Sequence, residues 1–196
     1  MELTRSSDYR LETRDQAGAA AILTEVGALE EIAQAVIAHC QAHAPAPPYK
    51  PQEIQRRLTP LGWLPEVRVP PYDPRHDRRP INERYDLYKV FERDNGTWVG
   101  VAIEIEKWEV WTDFLKFRRG IQRRQIDAGV LLHDNVSNLN YVYEHLRWLS
   151  EPLFGALPVL YAAPEGPGLA NVGRSRSMTY ALYRFPPPRA DTGRPS

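Results

Sequence analysis

The sequence predicts an α/β domain in which a small mixed sheet is flanked by helices. Three observations carry that expectation. Apolar residues recur at helical spacing between Ala17 and Ala44, two strand-like segments flank an Asn95-Gly96 turn, and helix-like and short strand-like segments alternate after it. A chain of 196 residues has the length of one domain with a sizeable core, and 42% hydrophobic residues is too many for a disordered chain despite 18 prolines.

Residues 1–16 are polar and read as a lead-in to a single domain over 17–185. Ile22, Val26, Leu29, Ile32, Val36 and Ile37 then share a helical face, which predicts a helix over 17–44. Ala44-Pro45-Ala46-Pro47-Pro48 stops it, and residues 45–51 read as a Pro-rich linker. Gln52 to Leu61 predicts a short helix ended by Gly62, and Glu66-Val67-Arg68-Val69 alternates as a short strand. Residues 70–82 carry four prolines and many charges, the composition of an exposed loop. Tyr85–Glu92 and Trp98–Glu106 are predicted strands joined through Asp94-Asn95-Gly96. Trp111 to Gln125 predicts a helix bent near Gly120, Ala128–Leu132 a buried strand, and Asn140–Leu149 another helix. Leu157–Tyr161 reads as a strand that Pro158 assigns to an edge. Met178–Phe185 reads as a last strand, and residues 186–196 as a disordered tail.

Alternation sets the faces of the hairpin. Val99, Val101, Ile103 and Ile105 line one side of the second strand, whereas Gly100, Ala102, Glu104 and Glu106 line the other. Small residues on that second side call for close packing, as by a helix, with the acids beyond its edge. A two-residue turn would place Asp86 opposite Ile105, on the face away from the glutamates. A three-residue loop with Gly96 in the left-handed bulge position pairs Asp86 with Glu104 and sets Tyr85, Leu87 and Phe91 on the Val/Ile face. The apolar pattern favours the second register, leaving Lys89 as the misfit on the apolar side. Asp86, Glu104 and Glu106 then converge. Three close carboxylates repel one another unless a cation neutralises them, and oxygen-only donors favour Mg²⁺ or Mn²⁺ over zinc. Such an ion suits phosphoryl chemistry by activating a bound water and stabilising charge on the phosphate.

The formal net charge is zero, which argues against an indiscriminate polyanion binder. Locally, Lys116, Arg118, Arg119, Arg123 and Arg124 make a basic segment with no acid between them. Cys40 is the single cysteine, so neither a disulfide framework nor a CxxC metal site is available within the chain. No apolar run approaches the roughly 20 residues that span a bilayer, and Met1-Glu2-Leu3-Thr4-Arg5 does not open like a signal peptide. These features read as a cytoplasmic protein with no membrane association.

The pattern resembles the PD-(D/E)xK nuclease superfamily, and within it the BglII-like type II restriction endonucleases. The likeness rests on Gly62-Trp63, Asp86-Leu87-Tyr88-Lys89, Val101-Ala102-Ile103-Glu104-Ile105-Glu106, a helix with Phe114-Leu115-Lys116-Phe117, and Asp127-Ala128-Gly129-Val130-Leu131-Leu132, in order over residues 52–165. It implies a restriction-endonuclease-like fold with residues 52–165 as catalytic core, and Mg²⁺-dependent hydrolysis of phosphodiesters in double-stranded DNA. Asp86 and Glu104 would be metal ligands. Glu106 stands where the superfamily usually has Lys, a departure that BglII- and BamHI-type enzymes share with Gln or Glu; it would bind metal or accept a proton from the attacking water. Lys107 points to the other face of that strand. Glu53, with Glu30 and Glu31 behind it, could supply a further acid from a preceding helix, while no partner pattern supports His76 or His133 as a base. Lys116, Arg118, Arg119, Arg123 and Arg124 would contact DNA phosphates. A homodimer matches a palindromic target. Two other readings stand beside this one: a catalytically inactive DNA-binding or regulatory protein of the same fold, and a protein-interaction module whose acids are ordinary surface residues.

Overall fold

A computed structural model describes residues 8–44, 50–70, 83–105 and 110–169, without the side chains of Leu149, Ser150 and Phe154. The elements are β1 (Arg10–Gln16), α1 (Ala19–Glu25), α2 (Ala28–Ala42), α3 (Pro51–Leu58), β2 (Leu64–Arg68), β3 (Arg84–Glu92), β4 (Trp98–Ile105), α4 (Val110–Gln122), β5 (Ala128–Leu132), α5 (Val136–Phe154) and β6 (Val159–Glu165). They build a six-stranded mixed sheet in the order β1-β6-β5-β4-β3-β2. β2, β3 and β4 form an antiparallel meander, β4, β5 and β6 run parallel, and β1 returns antiparallel to β6. One apolar layer joins the sheet to α1, α2 and α3, and a second joins its other face to α4 and α5. Among the described residues no helix is long and apolar enough to cross a membrane.

The turn chemistry acts as the sequence predicts. Arg93 N–H donates to the Thr97 carbonyl at 2.8 Å, Gly96 N–H donates to the Arg93 carbonyl at 2.9 Å, and Gly96 sits at φ 77°. The loop is therefore Asp94-Asn95-Gly96, and the ladder runs from Glu92↔Trp98 to Leu87↔Ile103. Continued one residue past the last observed pair, that register would set Asp86 opposite Glu104. Val99, Val101, Ile103 and Ile105 all enter the layer with α1–α3, together with Leu87 and Phe91.

Tyr85 departs from that expectation, because it packs in the opposite layer against α4. The change of face falls beside Glu66 of β2, which adopts φ 58° between the pairs Pro65↔Leu87 and Val67↔Tyr85. Lys89 stays on the apolar side, as the register requires, and is matched there. Its ammonium lies 2.7 Å from Glu31 Oε1, 2.7 Å from the Leu61 carbonyl and 4.5 Å from the Phe91 ring centroid.

Other boundaries also shift. The helix expected over 17–44 is two helices, α1 and α2, because Gly27 at φ 75° reorients the chain between them. Residues 10–16, expected as a polar lead-in, are edge strand β1. Only Leu11 and Gln16 of this strand are buried, so its pairing to β6 is mostly a matter of backbone bonds and left little apolar alternation to read. Pro158 does not mark an edge: β6 lies between β5 and β1, and Pro158 precedes it, accepting the Gly129 N–H at 3.0 Å. α5 is longer than expected, its first turn held by Asn135, whose side chain accepts from Asn138 N–H at 2.9 Å. The segments 178–185 and 186–196 lie outside the described residues.

Glycines let α4 and its following turn lie directly on the sheet. A Cβ on Gly129 would stand 2.6 Å from the Phe117 ring, and one on Gly100 would strike the Gln125 carbonyl. Gly120 does not bend α4, which runs through it; a side chain there would strike the Tyr85 hydroxyl and Ile126. Gly129→Ala should accordingly destabilise the fold by about 1–3 kcal/mol, the usual range for overpacking a filled core. Urea unfolding checks this, with a lowered midpoint and unchanged slope as the expected result.

Candidate active site at the open end of the hairpin

Glu104 emerges on the small-residue face of β4, two residues beyond Ala102, where α4 covers the sheet. It does not lie beyond the helix edge. Its side chain is only 3% exposed, and its Oε2 stands 3.0 Å from Lys116 Nζ. Lys116 is also 2.6 Å from Asp113 Oδ1, one helical turn earlier on α4. The ammonium is thus clasped between two buried carboxylates. Burial by itself pulls the Lys116 pKa down, but Asp113 and Glu104 outweigh it, and the net shift is well upward. Lys116 is a fixed positive charge at any physiological pH.

Asp86 approaches from the opposite strand. Its Oδ2 accepts the Ile105 N–H at 2.7 Å, so the aspartate closes the hairpin where the backbone ladder stops. Tyr85 seals the inner wall, its hydroxyl donating to the Lys116 carbonyl at 3.3 Å. Burial, then the Glu104 charge, pushes the Tyr85 phenol upward, so it remains a neutral donor.

The basic segment divides. Lys116 belongs to the carboxylate site, and Arg119 is 3% exposed and ion-paired with Glu83, so both are already engaged with acids of the fold. Arg118 is half-buried, while Arg123 and Arg124 are exposed just beyond α4. Glu106 and Lys107 lie outside the described residues. So does His76, whereas His133 is fully buried, its backbone N–H donating to the Ala162 carbonyl at 2.7 Å.

The helix acids do not complete this site. Glu31 is committed to Lys89 and to the Trp63 indole, Glu30 accepts from Gln34, and Glu53 meets His39 and His43; all belong to the α1–α3 side of the sheet. Among the described residues, Asp86 and Glu104 join no third acid, His or Cys with all ligand atoms within 4.8 Å of one another.

Asp113 is the site residue that the sequence reading missed. Its signal was present in the i,i+3 spacing to Lys116 on a helix expected to cover the small-residue face. What could not be read was the rotation of that helix, which turns the pair inward. No family model and no curated protein sequence matches this chain.

Proposed function

We propose that the protein is a metal-dependent DNA endonuclease of the type II restriction-enzyme kind, with a restriction-endonuclease-like core over residues 52–165. The observation that carries the reading is Glu104, a buried carboxylate on the second hairpin strand, held by the Lys116 ammonium, with Asp86 of the first strand accepting the N–H of the next residue, Ile105. Two acids and a lysine are the side chains the resemblance implies. Glu106 occupies the usual lysine position, and Lys116 supplies the ammonium from α4 instead.

Asp86 and Glu104 offer only oxygen donors, which fit a hard divalent ion such as Mg²⁺ or Mn²⁺. Such an ion, when bound, supplies water activation and charge neutralisation at the phosphate. Because Lys116 stays protonated, it serves as a fixed positive charge for developing negative charge on the phosphate oxygens, not as a base. Asp113 holds that ammonium in place when Glu104 is otherwise engaged. Glu106 then takes the proton of the attacking water. Arg118, Arg123 and Arg124, at and beyond the end of α4, contact backbone phosphates, and a homodimer in the cytoplasm acts on palindromic duplex sites.

The test is cleavage of a long mixed-sequence duplex with Mg²⁺ or Mn²⁺, wild type beside Glu104→Gln. Discrete fragments should fall more than about 100-fold in the variant, since even an outer partner of a metal site is worth about 10–100-fold. A second reading, DNA binding without cleavage, is favoured by the tight engagement of Glu104 with Lys116. It is the answer if folded wild type never cuts across both metals and a range of salt, yet binds duplex in a salt-dependent manner that Glu104→Gln leaves intact.

A further inference from the structure

A second convergence of ligand-type side chains lies on the other face of the sheet, where α3 packs on α2. His39 and His43 are one turn apart at the end of α2, and Glu53 stands in the first turn of α3. Among the described residues these three form the one group of His, Cys, Asp or Glu whose ligand atoms all lie within 4.8 Å of one another. His39 is buried, while the side chains of His43 and Glu53 are 25% and 28% exposed. The site therefore has a protein floor and one open side.

The two carboxylate oxygens of Glu53 have separate tasks. Oε1 accepts from Lys50 Nζ at 2.8 Å, and Oε2 stands 3.3 Å from His39 Nδ1 and 3.1 Å from His43 Nε2. His43 Nδ1 is 2.9 Å from the His39 carbonyl. A carbonyl oxygen only accepts, so Nδ1 carries the hydrogen, and in the neutral ring the lone pair belongs to Nε2. That lone pair then meets the Glu53 carboxylate, acceptor against acceptor. A cation between them resolves the conflict. The separations are close to the edge of a tetrahedron built on metal–ligand bonds of about 2.1 Å, which is about 3.4 Å. A backbone carbonyl that orients a ligating imidazole through its far nitrogen is also the usual outer support of a metal histidine.

We propose that His39, His43 and Glu53 bind a Zn²⁺-class divalent ion, with water in the fourth position, and that this ion clamps α3 onto α2. Two imidazoles and one carboxylate select a borderline transition metal over Mg²⁺. The site is separate from Glu104 and Lys116, which lie in the opposite apolar layer, so it acts on the fold rather than on the proposed phosphodiester chemistry. The competing arrangement places a second proton on His43 and makes the cluster an ordinary His–Glu ion pair.

The full chain, stripped of metal, should take up one equivalent of Co²⁺ with a visible d–d band, and Zn²⁺ should displace it. Mg²⁺ in excess should do neither. His43→Ala and Glu53→Gln should each weaken Zn²⁺ affinity at least about 10-fold, the lower end for disturbing a metal site, while His145→Ala leaves it unchanged. Zn²⁺ should also raise the melting temperature of wild type and not of either variant. The proposal is overturned if the folded chain binds no Zn²⁺, or if both His43→Ala and Glu53→Gln bind it as wild type does. Glu53→Gln preserves shape and keeps the test decisive should His43→Ala fail to fold.

Discussion

Replacing Lys116 with methionine should destabilise the fold by about 3–5 kcal/mol near neutral pH, the cost of stripping one partner from a buried ion pair. The substitution fills nearly the same space, so the loss is electrostatic. It leaves Glu104 and Asp113, with side chains 3% and 4% exposed, facing each other without the ammonium that now lies 3.0 and 2.6 Å from them. Urea unfolding of wild type and Lys116→Met measures the difference. Two companion results identify its origin. The deficit should shrink as pH falls, because protonating one carboxylate removes the repulsion. Lys116→Met combined with Glu104→Gln should recover much of the stability, giving a coupling energy of about 1–3 kcal/mol in the double-mutant cycle. An unchanged urea midpoint in Lys116→Met would show that the ammonium is not what holds the two acids. Under the proposed function, the same variant should also lose DNA cleavage at temperatures where it is fully folded.

The second large effect is alkaline unfolding. Burial pushes the Cys40 thiol from 9.0 up to about 11. Burial likewise raises the Tyr85 and Tyr161 phenols above 10.0. Lys116 is raised above 10.5 because its two acids overcome its burial. All four shifts have one sign. Each group keeps its proton longer in the folded chain than in the unfolded one, so the stability it contributes is complete below the unfolded pKa and is lost as pH climbs toward the folded one. The window opens near pH 9 with Cys40 and widens from about pH 10 as the tyrosines and Lys116 enter. Within it, each group removes up to about 1.4 kcal/mol per pH unit. Urea midpoints taken from pH 8 to 11 should fall with growing slope, and Cys40→Ala should delay the onset. A flat profile through pH 11 would contradict the burial of these groups.

The parts of this protein legible in its sequence are those set by short-range geometry. Asn95-Gly96 after Asp94 required a left-handed residue, and Gly96 supplies it at φ 77°. Period-two alternation then sorted Val99, Val101, Ile103 and Ile105 from Gly100, Ala102 and Glu104, and that sorting selected the register observed from Glu92↔Trp98 to Leu87↔Ile103. The closeness of a covering element was legible too. Gly100, on the small-residue face, has no side chain because the Gln125 carbonyl occupies that space.

Strand β1 was not legible, because an edge strand that buries only Leu11 and Gln16 leaves almost no apolar signature. The layer of Tyr85 was not legible either, because period-two alternation fails between Tyr85 and Leu87, which pack in opposite layers. The histidine–glutamate cluster was also missed. His39 and His43 show their i,i+4 spacing in the sequence, but Glu53 joins them only through the packing of α3 on α2.

The sequence by itself determined the α/β class, the hairpin and its register, because turn conformation and strand alternation depend on neighbours a few residues apart. Tertiary structure alone decided the partners of its acids. Lys116 and Arg119 look like surface cations in the chain, yet the rotation of α4 over the sheet turns them to Glu104, Asp113 and Glu83. A buried charge is stable only beside its counter-charge, and such pairs form between elements whose relative rotation is set by the packing of the whole core.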